Sequence, residues 1–180
     1  MGVRFYQIDI ITIFAPDQIV NNGHRNRKSS VRAFLPANAR LLMLGSFPPP
    51  KARWSMDFYY PNIQNDMWRI LGLIFYGNKD AFLRDKKAFS EEKAKAFCRE
   101  KGIGIGDTAM EVIRLKANAS DKFLEVVRPI DLEKVLSQIP ECVAIVVTGQ
   151  KAMDTLLSVL PGTEEPKVAS RRNFLVWEGR

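Results

Sequence analysis

The chain has 180 residues, enough for one domain with a sizeable core and too few for two comfortable ones. Hydrophobic residues make up 46% and charged residues 26%, which fits an ordinary soluble globular class. Lys and Arg total 27 against 20 Asp and Glu, and the resulting net charge of +7 favours a polyanionic partner such as nucleic acid.

Two cysteines, Cys98 and Cys142, cannot supply a four-cysteine iron–sulfur cluster, and the lone His24 adds little for zinc. Both cysteines read as buried thiols, so no metal and no cofactor are expected, and a reducing, cytoplasmic location is. No apolar run approaches the roughly 18 residues that a membrane span needs. The hydrophobic segment from Phe5 to Val20 is interrupted by Asp9 and Asp17 and lacks the cleavage pattern of a secretory signal.

In chain order, residues 1–30 are expected to form a loosely packed N-terminal extension ending in the basic run His24 to Ser30. That run is either a solvated linker or a phosphate contact. A single domain is then expected over residues 31–180. Ala39 to Gly45 reads as a short buried strand ending at a glycine turn. A Pro-rich loop follows from Phe47 to Tyr60. Met67, Ile70, Leu71 and Ile74 recur at helical spacing, with Asn65 or Asp66 as cap. Ser90 to Lys101 is predicted helical, capped by Ser90 and stopped by Gly102.

Ile103 to Asp107 reads as a strand. Ser120 is predicted to cap a helix through Val127, and Asp131 another through Ile139. Cys142 to Val147 is the clearest strand, followed by a helix from Gln150 to Leu160. Lys167 to Ala169 and Phe174 to Trp177 are short candidate strands. The alternation predicts an α/β fold, a three-layer sandwich with a central, mainly parallel sheet. Leu41 to Leu44 and Val143 to Val147 should lie side by side, or nearly so, at its centre. Ligands of such sheets sit beyond the carboxyl ends of the strands, where Gly45 to Pro50, Asp107 and Thr148-Gly149 all fall.

Chemistry concentrates between Gly45 and Arg69. Pro48, Pro49 and Pro50 stiffen the loop after the first strand. The aromatics from Phe47 to Trp68 offer faces on which a base could stack. Lys51, Arg53 and Arg69 bring positive charge beside them, and Asn62 and Asn65 can orient water or a base edge. The chain has no Walker-type lysine loop, and Gly102 to Gly106 departs from a dinucleotide-binding pattern.

Gly45-Ser46-Phe47-Pro48, then Phe58-Tyr59-Tyr60, then Asn65-Asp66-Met67-Trp68, resembles the first motif of the uracil-DNA glycosylase superfamily. The double tyrosine and the Asn-x-hydrophobic-Trp are most similar to its hypoxanthine-DNA (deoxyinosine) glycosylase branch. Asn62, Ile63 and Gln64 stand where that branch carries His-Pro-Arg. The resemblance covers residues 39–72, and more weakly 102–107, 114–124 and 148–152. It implies Asn65 as the catalytic residue. Gly45, Ser46, Phe47, Tyr60, Asp107 and Asn118 would bind the base, although Asn118 could equally cap the helix after it. Pro48, Pro49, Pro50, Lys51, Arg53 and Arg69 would contact DNA.

The activity implied is monofunctional hydrolysis of the N-glycosidic bond of a deaminated base, uracil or hypoxanthine, flipped out of double-stranded DNA by a monomer. The superfamily's second motif, a loop entering the minor groove, would stand after Phe174 to Trp177. With Arg180 as the last residue given, the domain is expected to lack it. The alternative is a non-catalytic DNA-binding protein on a degenerate glycosylase fold.

Overall fold

The elements follow from where apolar runs and stop signals fall. In this computed structural model residues 5–12, 25–28, 32–115, 123–166 and 171–177 are described. Strands β1 (Phe5–Thr12), β2 (Arg25–Lys28) and β3 (Leu41–Gly45) precede helix α1 (Met67–Tyr76). A small hairpin, β4 (Leu83–Asp85) and β5 (Ala88–Phe89), leads to α2 (Glu91–Lys101). Strands β6 (Ile103–Asp107), β7 (Ala109–Arg114) and β8 (Leu124–Pro129) come next. Helix α3 (Leu132–Leu136), β9 (Ala144–Val147), α4 (Gln150–Ser158) and β10 (Arg171–Trp177) complete the order.

The main sheet runs β10-β1-β9-β3-β6. Strands β1, β9, β3 and β6 are mutually parallel, and β10 lies antiparallel on the β1 edge. β3 and β9 are neighbours, Leu41 to Leu44 opposite Ala144 to Val147. Their uninterrupted apolar sequence has the reason expected of it: each face is covered. Leu42, Leu44, Ile145 and Val147 pack on α3 and α4 through Leu136, Met153 and Leu156. Met43, Ile105 and Val146 face the other way, onto Trp68 of α1 and Phe97 of α2. The architecture is the three-layer sandwich.

Local signals act where they were expected. Ser90 accepts from Lys93 N at 3.3 Å, and Glu91 and Glu92 occupy the positive end of α2. Gly102 ends that helix at φ 64, and a Cβ there would stand 2.6 Å from Asn38 O, so only glycine fits.

Three expectations need correcting. Residues 1–30 are not wholly outside the fold, because β1 inserts between β10 and β9 and β2 pairs with β7. The predicted helix from Ser120 to Val127 is instead the strand β8 from Leu124 onward, antiparallel to β7. Leu124 and Val126 pack inward while Glu125 and Val127 point out, a period of two. Phe58, Tyr59 and Trp68 do not offer stacking faces, because all three are buried in the core between the sheet, α1 and α2. Ser120 and the candidate strand Lys167 to Ala169 lie outside the described residues.

Candidate active site at the carboxyl ends of the parallel strands

Three adjacent strands end together. Gly45 pairs with Asp107 across β3 and β6, and Thr148 follows Val147, the partner of Leu44, on β9. The last carbonyls of β3 are each held twice by a threonine. Thr148 reaches Leu44 O from its N at 3.0 Å and its Oγ1 at 3.2 Å. Thr108 reaches Gly45 O from its N at 2.8 Å and its Oγ1 at 3.1 Å. The chain then returns through Tyr60, whose φ of 50 is the one positive value at a non-glycine among the described residues. That conformation is costly for a bulky side chain. It lays the Tyr60 hydroxyl 3.0 Å from Thr148 Oγ1.

Gly45 completes the arrangement by having no side chain. A Cβ there would lie 3.0 Å from Asp107 Oδ1 and 3.6 Å from Tyr60 Oη. The missing side chain therefore lets a carboxylate and a phenol close in on the strand end. Tyr60 is partly exposed as a residue, but its hydroxyl end is enclosed. Burial pushes that hydroxyl well above the ordinary phenol range, the Thr148 hydrogen bond pulls it back, and the Asp107 charge adds to the rise. Tyr60 is therefore neutral at physiological pH.

The proline run is clamped rather than merely stiff. Pro48 O accepts from Arg114 Nη2 at 3.2 Å, Pro49 O from Trp54 Nε1 at 2.8 Å, and Pro50 O from Arg53 N at 2.9 Å. Arg114 is buried in β7, and Phe47 is buried against Ala109, Val112 and Leu124. The second sheet, β2-β7-β8, thus carries the loop on its inner face. Prolines lack the N–H that would tie them to a ladder, so their carbonyls are the loop's means of attachment.

No protein-family model and no curated protein matches the chain. Among solved structures, it is similar to the solution NMR structure of "a putative Uracil DNA glycosylase" from Methanosarcina acetivorans. The TM-score is 0.56 and the identity 25%, over 79% of this chain and 84% of that one. The likeness supports the uracil-DNA glycosylase superfamily. The mainly parallel sheet and its helices match that glycosylase-like architecture.

The residues singled out in the sequence occupy this glycosylase-like frame in different ways. Gly45, Tyr60 and Asp107 meet at the strand end, and Ser46 follows immediately, its carbonyl accepting from Ala109 N at 3.1 Å. Asn65 stands one residue before Asp66, the N-cap position of α1, and its Oδ1 accepts from Met67 N, the helix's first amide, at 2.9 Å. Arg69 supports the same turn, donating to Ile63 O at 2.7 Å and Asn65 O at 3.2 Å. Its guanidinium lies over the Phe89 ring. Lys51 sits 3.9 Å above the Trp54 ring and pairs with Asp57, while Arg53 is half-buried. Asn118 lies outside the described residues.

Sequence reading missed Thr108, Thr148 as a hydrogen-bonding partner, and Arg114. The available signal was a repeated threonine directly after a strand, in Asp107-Thr108 and Val147-Thr148. Among the described residues no cluster of three or more His, Cys, Asp or Glu could hold a metal ion. Among them, too, no helix is long and apolar enough to cross a membrane.

Proposed function

We propose that the protein is a monofunctional DNA glycosylase that hydrolyses the N-glycosidic bond of a deaminated base, uracil or hypoxanthine, flipped from double-stranded DNA. The observation that carries the reading is the meeting of Gly45, Asp107 and Tyr60 at the carboxyl ends of adjacent parallel strands. A flipped base needs polar groups that read its edge, and strand ends of this kind are where ligands of parallel sheets bind. The clamped Pro48–Pro50 loop beside it is suited to meet a phosphate backbone of fixed shape, with Lys51 and Arg53 next to it.

Cleavage makes the sugar cation-like and leaves negative charge on the base. Backbone donors near Gly45 and Ser46 would stabilise that charge. Asn65 would orient the attacking water. An amide has no useful basicity near neutral pH, so orientation is all it contributes. Its oxygen has two acceptor positions, of which the bond from Met67 N uses one and fixes the rotamer. No lysine nucleophile is needed, so no strand-cleaving lyase step follows.

Single-turnover reactions on duplexes containing uracil, hypoxanthine or a thymine mismatch, with abasic sites revealed by alkali, test the reading. Abasic product from uracil or hypoxanthine is expected. Binding without product would move the chain to the alternative, a non-catalytic DNA-binding protein, which the burial of Phe47 favours because a buried ring offers no face to a base.

A further inference from the structure

Burial sorts the aromatics between Gly45 and Arg69. Phe47, Phe58, Tyr59 and Trp68 are buried, and the hydroxyl end of Tyr60 is enclosed. The remaining ring is Trp54, which is only partly buried. It ends the short 3-10 turn Lys51–Arg53 that follows the prolines. Two bonds fix it there: its N donates to Lys51 O at 3.0 Å, and its Nε1 to Pro49 O at 2.8 Å. Its neighbour Ser55 is tied to Pro61 O through N at 2.8 Å and Oγ at 2.7 Å, which sets the indole beside the turn that carries Tyr60. Lys51 Nζ lies 3.9 Å from the ring centroid, and the Lys51 side chain is 64% exposed. The ring face under the ammonium is therefore the one turned towards solvent, and a hydrated cation covers it. Lys51 also pairs with Asp57, which is as open to water as Lys51 itself. Both contacts are of the weak, exposed kind, so a phosphate can take the ammonium from them at little cost.

We infer that Trp54 is a base-stacking residue whose solvent-side face is shielded by Lys51 in the free protein and uncovered for an unpaired base when a DNA phosphate draws Lys51 away. This rests on the glycosylase reading, which supplies the DNA. Flipping one base out of a duplex leaves its former partner unpaired as well, so a stacking platform beside the site has a base to receive. Stacking on an aromatic ring is tolerant of sequence, because every base has a π-face. The bond to Pro49 O holds the indole in place before DNA arrives, so little ordering is left to do on binding. The same ammonium that covers the ring then neutralises a phosphate next to it.

The test separates bases from phosphates. The probes are a short single-stranded oligothymidylate, in which every base is already unpaired, and an abasic strand of the same length and charge. Both are titrated with the full chain by fluorescence anisotropy of an end label, alongside excision from duplexes. Wild type should bind the base-bearing strand about tenfold tighter or more. Trp54→Leu should bring the two strands close to parity and leave the abasic strand bound as before, while Trp54→Phe keeps most of the preference. Lys51→Ala should weaken both strands and reduce the log–log salt slope by about 0.7, with the preference held or increased. Equal binding of the two strands by wild type, no binding of either, an unchanged preference in Trp54→Leu, or its loss in Lys51→Ala overturns the inference. So does an equal fall for both strands in Trp54→Leu, which would mark Trp54 as a support of the loop only. If Trp54→Leu does not fold, wild type decides by photocrosslinking to a strand carrying iodinated uracil: an adduct on Trp54 is expected, and adducts only elsewhere overturn the assignment. A preference lost in Trp54→Leu, with no excision by wild type from any duplex, overturns the glycosylase reading and leaves the stacking role of Trp54 standing.

Discussion

Gly45→Ala tests the proposed placement of the base at Gly45 directly. The added methyl would stand 3.0 Å from Asp107 Oδ1, where ordinary contact begins at 3.4 Å, so the carboxylate must give by a few tenths of an ångström. Tyr60 Oη, at 3.6 Å, need not move. Gly45 is not among the residues with positive φ, so alanine meets no backbone penalty there. Replacing glycine also restricts the unfolded chain, a gain of about 0.4–1 kcal/mol that offsets the small clash. Net stability should therefore change by less than about 1 kcal/mol.

Catalysis should change far more, because the methyl occupies the space that the base edge needs. A displacement of roughly 1 Å at a reacting centre can lower the rate about a hundredfold, and that is the expected loss in single-turnover excision. Gly102→Ala is the counterpart. Its φ of 64 and the 2.6 Å approach to a backbone oxygen predict a clear fall in Tm with an unchanged rate per folded molecule. A Gly45→Ala protein with normal Tm and a rate within about threefold of wild type would refute the placement of the base at Gly45.

Asn65→Ala should lose about 1 kcal/mol of stability through the cap on α1, and excision should fall well beyond what that loss explains; a destabilised protein with an unchanged rate leaves Asn65 a cap alone. DNA affinity should fall with salt, with a log–log slope of about −0.9 per phosphate contacted, and filter binding that stays flat across moderate salt would dismiss the phosphate-tracking surface. Stability should decline at alkaline pH. Burial pushes the Cys98 thiol up to about 12 from 9.0 and raises Tyr59 and Tyr60 above their ordinary range. A raised acid stabilises the fold fully below its unfolded value and progressively less above it, at about 1.4 kcal/mol per pH unit and group. Urea midpoints should be level to about pH 9 and then drop, with Cys98→Ala softening the first part of the drop; a level curve well past that pH would show these groups exposed.

What was legible depended on whether a residue's surroundings were local. β3 and β9 announce themselves because strands covered on both faces have no polar positions to confuse the pattern. α2 is bounded by its own cap and stop, Ser90 and Gly102. β8 was misread because four residues, Leu124 to Val127, cannot separate a period of two from one of 3.6, and its partner β7 is what decides. Composition placed the aromatics near the site but could not say which way they face, and Phe58, Tyr59 and Trp68 face the core. Strand ends and motif resemblance together singled out Gly45, Tyr60 and Asp107, which the fold brings side by side. The bond between Tyr60 and Thr148 was invisible, because it needs a backbone turn into positive φ that no sequence rule assigns to tyrosine.

The placement of β1 ties the fold to the order in which the chain is made. Its ladder partners are β9 and β10, both far downstream, while β3 and β6 can pair and gather α1 and α2 much earlier. During synthesis β1 must wait, unpaired, until β9 and β10 have left the ribosome. Pairings of such long sequence separation close slowly. Until they close, one edge of β9 is open to any passing strand, and that half-built sheet, rather than the finished one, is where aggregation should begin.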